Sequence, residues 1–189
     1  MILGSAAIRS FIERGEWIVH REGARVRLPD LHVNPNSVDV TLGKSVLEQL
    51  SDDWVDPERP ESVRHCPVPL TETGHFYLLK GHSYLGYAAE RFDTGCIGVA
   101  PIIEGRSTLG RLFLSIHSTA GFGDVGFKGN FTLELSYSGP SAGIRLRPGH
   151  RIAQIAFHVV REWEDTYRGA YSSEHNDRPV PPVLGIGRV

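Results

Sequence analysis

These 189 residues predict a mainly β protein, a sandwich or barrel with one short helix at its start. Short runs rich in β-branched and aromatic residues recur between Gly- and Pro-containing turns, the pattern of an antiparallel all-β architecture. Two stretches, residues 36–43 and 132–135, alternate apolar and polar side chains with period two.

In chain order, Ser5 is placed to cap a helix whose apolar positions Ile8, Phe11 and Ile12 recur at helical spacing, and Gly15 ends it. Strand signals follow in WIVH, in VRLP and in NSVDVTLG, where Val38, Val40 and Leu42 face one way and Ser37, Asp39 and Thr41 the other. Residues 51–69, rich in Asp, Glu, Arg and Pro, read as an exposed loop inside the domain. HFYLL, SYLGYAAERF, CIGVAPIIEG, LFLSIHS, FTLELSYS, GIRLRPG and RIAQIAFHVV supply the later strands, with His117 an ordinary pleat residue. The alternation then stops. Residues 1–160 form the β domain, and residues 161–189, polar and holding Pro179, Pro181 and Pro182, form a tail outside the core that is disordered or closes over a ligand.

Composition narrows the function. At 40% hydrophobic and 22% charged the chain has the profile of a soluble globular domain, and a formal charge of -2 gives no global pull toward nucleic acid or an anionic membrane. No signal peptide or membrane span is expected. Cys66 and Cys96 sit in no zinc-spaced or CxxC pattern, so a reducing compartment, the cytoplasm, is expected. P-loop, Rossmann, HExxH, zinc-deaminase and GxSxG patterns are all missing, so any phosphate must be held by arginine and backbone amides.

The chemistry concentrates in residues 104–135, EGRSTLGRLFLSIHSTAGFGDVGFKGNFTLEL. Arg106 and Arg111 open it, Asp124 lies in a Gly-rich turn, and Glu134 shares a strand face with Thr132 while Leu133 and Leu135 take the other. Between residues 104 and 151 six basic side chains (Arg106, Arg111, Lys128, Arg145, Arg147, Arg151) face three acidic ones, a local excess suited to a polyanion. A bland alternative is a Glu134–Arg111 salt bridge inside a barrel.

The ordered set EGRSTLGR, TAGF with Asp124, GFKG and TLEL resembles the dCTP deaminase family of the dUTPase-like superfamily. SVDVTLG at 37–43 and PGHRIAQ at 148–154 are similar to that family's S-[VI]-D-[LV]-x-L-G and P-G-x-x-I-x-Q, in the expected order. The resemblance implies a distorted β-barrel or jelly-roll-like subunit, a homotrimer with active sites between subunits, and no zinc. It also implies hydrolytic deamination of dCTP, or a close relative, to dUTP and ammonia, with Mg²⁺ carried on the nucleotide phosphates. Glu134 resembles the catalytic glutamate, 23 positions after Arg111 as in the family. Ser107 and Arg111 resemble its assistants, and Asp124 the aspartate near the deoxyribose. Arg106, Ser107 and Gln154 resemble phosphate-side or pocket residues, with Thr119, Ala120 and Tyr171 further substrate contacts.

Glu134 suits that chemistry on its own terms, since without a metal-activated water one carboxylate must accept and return the proton. Arg111 can keep it ionised and Ser107 can orient the water or base. The tail departs from the family pattern: Ala170 replaces its lysine and Glu174 its glutamine. A monophosphate or modified substrate, compensation by Arg168 or Arg178, or a shifted tail alignment would each account for this. Two other functions stay open. One is dUTPase or a bifunctional deaminase-diphosphatase giving dUMP, suggested by TAGF and by RIAQ. The other is a non-catalytic nucleotide-binding regulator.

Overall fold

The computed structural model describes residues 1–51, 54–95, 98–169, 171 and 179–181. Its first half runs α1 (Ser5–Glu13), β1 (Ile18–Arg21), β2 (Ala24–Arg25), β3 (Val38–Thr41), β4 (Leu47–Leu50), β5 (Arg64–Pro67) and β6 (Phe76–Leu79). The second half runs β7 (Ser83–Asp93), β8 (Val99–Gly105), α2 (Ser107–Arg111), β9 (Leu114–Ser115), β10 (Lys128–Tyr137), β11 (Gly143–Leu146) and β12 (Arg151–Val159). All pairings are antiparallel. No helix among the described residues is long and apolar enough to cross a membrane.

The long strand β7 organises the larger, seven-stranded sheet. One edge carries β10 along most of its length; the other carries β1 near Asp93 and β4 near Ser83. A three-stranded sheet, β3-β12-β8, packs across it, and β6 with β11 forms a separate ribbon. Phe157 of β12 meets Phe92 of β7 at 5.4 Å and Trp17 at 4.6 Å between ring centroids, so aromatic contacts knit the two sheets. The path of the large sheet ends at β2 on one side and β9 on the other, and these do not pair. The expected distorted barrel is therefore an open, packed pair of sheets, nearer the jelly-roll alternative.

Burial explains where period-two reading works and where it fails. On β10, Leu133 and Leu135 are sealed in the core and Thr132 and Glu134 stand half-buried opposite them, as expected. On β3, Val38 and Val40 are buried, but so are Ser37 and Asp39, because the second face meets other polar groups of the protein instead of water. β7 is buried at seven consecutive positions, Tyr84 to Glu90, which erases alternation; both of its faces are covered.

Several local readings change. Gly4, not Ser5, is the N-cap of α1, and it makes no side-chain cap bond; Ser5 is the first helical residue. Gly15 does follow the helix in the left-handed conformation, φ +73°. VRLP is not a strand: the Val26 amide donates one bond to the Val19 carbonyl and Leu28–Asp30 makes a 3-10 turn with Pro29 inside it. The exposed segment after residue 50 includes β5, paired to β4, which its charge-rich composition concealed. LFLSIHS gives only Leu114–Ser115, and His117 lies off any strand. The described part of the tail is not wholly outside the core either. Tyr167 sits edge-on to Phe127 at 5.6 Å, and Pro179 is buried.

Glu90 carries the main polar clip between the sheets. Fully buried on β7, it accepts from the Thr41 amide (2.6 Å), from Thr41 Oγ1 (2.9 Å) and from Arg21 Nε (2.7 Å), tying β1 and β3 to the centre of the large sheet. Removing it strands a buried amide and a guanidinium. Glu90→Ala is expected to lower unfolding stability by about 3 kcal/mol in urea denaturation; a loss near zero would show that the clip is dispensable.

Candidate functional site

The site is built around an irregularity where β7 runs beside β10. The register shifts between Asn130, opposite Arg91, and Thr132, opposite Tyr87, so β7 carries extra residues there. Buried Asn130 fills the gap with its side-chain amide, donating from Nδ2 to the carbonyls of Ala88 (2.8 Å) and Ala89 (3.2 Å). Beyond it, Thr132, Glu134 and Ser136 line a cleft of about 600 Å³.

Thr119, Ala120, Asp124, Glu134 and Tyr171, all expected site residues, line this one cleft. Glu134 Oε2 accepts from the backbone amide of Ser118 at 2.6 Å, which fixes the carboxylate by one oxygen. The TAGF turn approaches β8 so closely that a Cβ on Gly121 would lie 2.8 Å from the Ile103 carbonyl, so only glycine fits there. His117 packs behind the turn, its Nε2 3.7 Å from Glu104. Phe127 stacks against Phe131 at 5.1 Å in the cleft wall. Burial raises the pKa of Tyr84, another lining residue, and its hydroxyl accepts from the Leu79 amide. The tail reaches the cleft too: Val180 N donates to Thr132 Oγ1 (3.2 Å), while Ala170, Glu174 and Arg178 lie outside the described residues.

The other predicted residues gather elsewhere. Asp39, buried on β3, holds Arg106 Nη2 (3.3 Å) and Arg151 Nη1 (3.2 Å) on the same carboxylate oxygen and accepts from Asn34 on the other. Gln154 accepts from Ser37 Oγ (2.9 Å) and donates to the Gly105 carbonyl (3.2 Å). Ser107 opens α2, and the side chain of exposed Arg111 at its end donates, among the described residues, to the Ser107 carbonyl alone (3.2 Å). Neither Ser107 nor Arg111 lines the Glu134 cleft, and no hydrogen bond or ion pair joins Arg111 to Glu134. The alternative weighed from the sequence, a Glu134–Arg111 salt bridge, does not form within the chain. The basic excess is also reduced, since Lys128 pairs with Asp93 (3.2 Å) and Asp39 takes two arginines.

Sequence reading placed Phe127 in the GFKG motif without giving it work, and left Asn130 between that motif and TLEL. Asn130 has no signal of its own, because its value lies in a register shift that only the paired strands create. Among the described residues no group of three or more His, Cys, Asp or Glu side chains could hold a metal ion.

The open antiparallel sandwich keeps its carboxylate-bearing cleft apart from the arginine cluster gathered on Asp39. It superposes at a TM-score of 0.62 on the 2'-deoxycytidine 5'-triphosphate deaminase of Agrobacterium tumefaciens, 22% identical, over 84% of this chain and 48% of that one. The sequence profile described as dCTP deaminase-like matches residues 2–160, and the chain belongs to that family of enzymes. A relative from Coprothermobacter proteolyticus named "dCTP deaminase, dUMP-forming" is 34% identical over 86% of this chain and 84% of its own length. Another of that name, from Dictyoglomus thermophilum, is 34% identical over 98% and 96%. The "dCTP deaminase" of Natronomonas pharaonis is 37% identical over 98% and 95%.

The PGHR turn that delivers Arg151 holds His150 in surroundings that disfavour its charged form. His150 Nδ1 accepts from the Arg147 amide (3.3 Å), and burial, then the charge of Arg147 and then His75, hold its pKa below the ordinary 6.5. The folded state thus disfavours its proton. Its contribution is complete above pH 6.5 and is lost as pH falls through that unfolded value toward the folded one. Urea midpoints at pH 8 and pH 5.5 are expected to diverge less in His150→Asn, which keeps an acceptor, than in the parent; equal divergence would remove His150 from the effect.

Proposed function

We propose that this protein deaminates dCTP hydrolytically, with Glu134 as the group that moves protons. The observation that carries the reading is the glutamate's mounting. Its Oε2 is anchored by the Ser118 amide, while Oε1 makes no hydrogen bond among the described residues and stands in the cleft with Thr119, Ala120 and Asp124. Glu134 takes a proton from water as the water oxygen bonds to C4 of cytosine, and passes that proton to N3. The carboxylate then carries the new hydroxyl's proton to the amino group, the C4–N bond breaks, and ammonia leaves a uracil nucleotide. Asp124 and Tyr171 are assigned to the sugar side of the cleft.

Ser107 and Arg111 complete this site from a neighbouring subunit in a homotrimer. Their separation from Glu134 within one chain supports that assembly, as does the exposure of Leu112 and Phe113 beside α2. Arg106 and Gln154, held by Asp39, Arg151 O, Ser37 and Gly105, present the phosphate side already oriented. Mg²⁺ would be carried on the nucleotide phosphates, where it would neutralise part of their charge beside Arg106. The cytoplasm is its compartment.

Glu134→Gln is expected to lower kcat by at least ~10²-fold with nucleotide binding retained. Arg111→Ala should be inactive as well, yet mixing the two inactive proteins under subunit exchange should restore roughly a quarter of wild-type activity in hybrid trimers. A mixture as inactive as its parts would place both residues in one subunit's site.

Of the two products considered, dUMP is favoured by the names of the relatives from Coprothermobacter proteolyticus and Dictyoglomus thermophilum. The second step is attack of water on the α-phosphorus, with pyrophosphate leaving. Chromatography of a dCTP reaction should show ammonia, dUMP and pyrophosphate in equal amounts; accumulation of dUTP would mean deamination alone.

A further inference from the structure

Phe113 adopts a backbone conformation that its surroundings in the chain do not repay. It follows Leu112, the C-cap of α2, and has φ +60°. A Cβ makes that left-handed conformation costly, which is why glycine is the usual residue just past a helix end. Hydrogen bonds hold the turn on both sides. The Phe113 amide donates to the Gly110 carbonyl (2.9 Å), and the Phe113 carbonyl accepts from the Ser138 amide (3.0 Å) just past the end of β10. A large apolar side chain in such a place would offset the strain by burial, yet Phe113 is 60% exposed, and Leu112 beside it is exposed as well.

The surface that fits this turn is the Glu134 cleft of a second copy of the chain. That cleft holds two carboxylates, Glu134 and Asp124, and no lysine or arginine lines it among the described residues. Phe122, in its wall, is 64% exposed. The turn after α2 carries the complement of both features: the exposed guanidinium of Arg111 and, two residues later, the exposed ring of Phe113. The two patches are different, so their contact is head-to-tail, the kind that closes into a ring when the rotation allows. We infer that Phe113 is a positioning residue, whose ring docks beside Phe122 on a neighbouring subunit and thereby sets Arg111 against that subunit's Glu134. This role rests on the deaminase reading with its shared site, and adds to it the contact that aligns the two halves.

Phe113→Gly relieves the backbone while removing the ring, so the subunit should fold as before, by circular dichroism, and the contact should fail. In sedimentation velocity over a dilution series, the variant's trimer is expected to dissociate at a protein concentration at least about tenfold higher than the parent's. Ammonia release per chain should fall with the trimer and return when the variant is concentrated until trimers re-form. Phe113→Tyr, which keeps the aromatic face, should match the parent in both measurements. A residue that only shaped its own turn would not make activity depend on protein concentration. The role is overturned by a Phe113→Gly protein that assembles and turns over as the parent does at every dilution, by one that loses activity with its trimer intact, or by a Phe113→Tyr protein as impaired as Phe113→Gly. A parent that sediments only as single chains overturns it together with the shared site. A trimeric parent that releases no ammonia sinks the deaminase reading alone, and the sedimentation contrast between parent and Phe113→Gly then decides the contact by itself.

Discussion

A strand covered on both faces cannot leave a polar group to water, and β7 is such a strand. Its solution is to bring in side chains that bond it from either flank. Glu90 takes the Thr41 amide and Arg21, and Asn130 reaches across from β10 to the carbonyls of Ala88 and Ala89. The first links the two sheets; the second holds the shifted register that points Thr132 and Glu134 toward the cleft. Core packing from Phe92, Phe157 and Trp17 adds apolar burial around this polar scaffold, but it could not by itself set the register.

Much of the fold was legible because apolar periodicity and turn chemistry are local. The strands of β3, β10 and β12, and the sidedness of Glu134, follow from alternation alone. What escaped was non-local. β5 is charge-rich and exposed, and exists because β4 supplies an edge; VRLP has strand composition but meets no partner beyond one bond. α2 is five residues long, too short for any periodic signal. Asp39 looked like the outward face of a strand, yet it is buried, because Arg106 and Arg151 arrive from segments remote in sequence.

The candidate site was legible as a set of residues and not as a place. Motif order gathers Ser107, Arg111 and Glu134 within thirty positions, but the chain sends α2 away from β10 before returning through the TAGF turn. A carboxylate anchored by a backbone amide, and an arginine bonded only to its own helix, are two halves that do not touch. In the trimer proposed above, such a division would make catalysis conditional on assembly, with the active arrangement set by subunit contacts rather than by folding alone.

The pairing of β3 with β12 has a bearing on how the protein is made. Asp39 and Ser37 find their partners Arg151 and Gln154 only 112 and 117 residues later. At ribosomal speeds of roughly 5–20 residues per second, β3 emerges and waits on the order of ten seconds before its neighbour is synthesised. During that interval β3 has only its local partners in residues 32–34, with Asn34 reaching Ser37 and Asp39, while its β12 edge stays open, and the small sheet closes only when β12 leaves the ribosome. Nascent chains stalled before residue 151 should therefore be the species most dependent on chaperones.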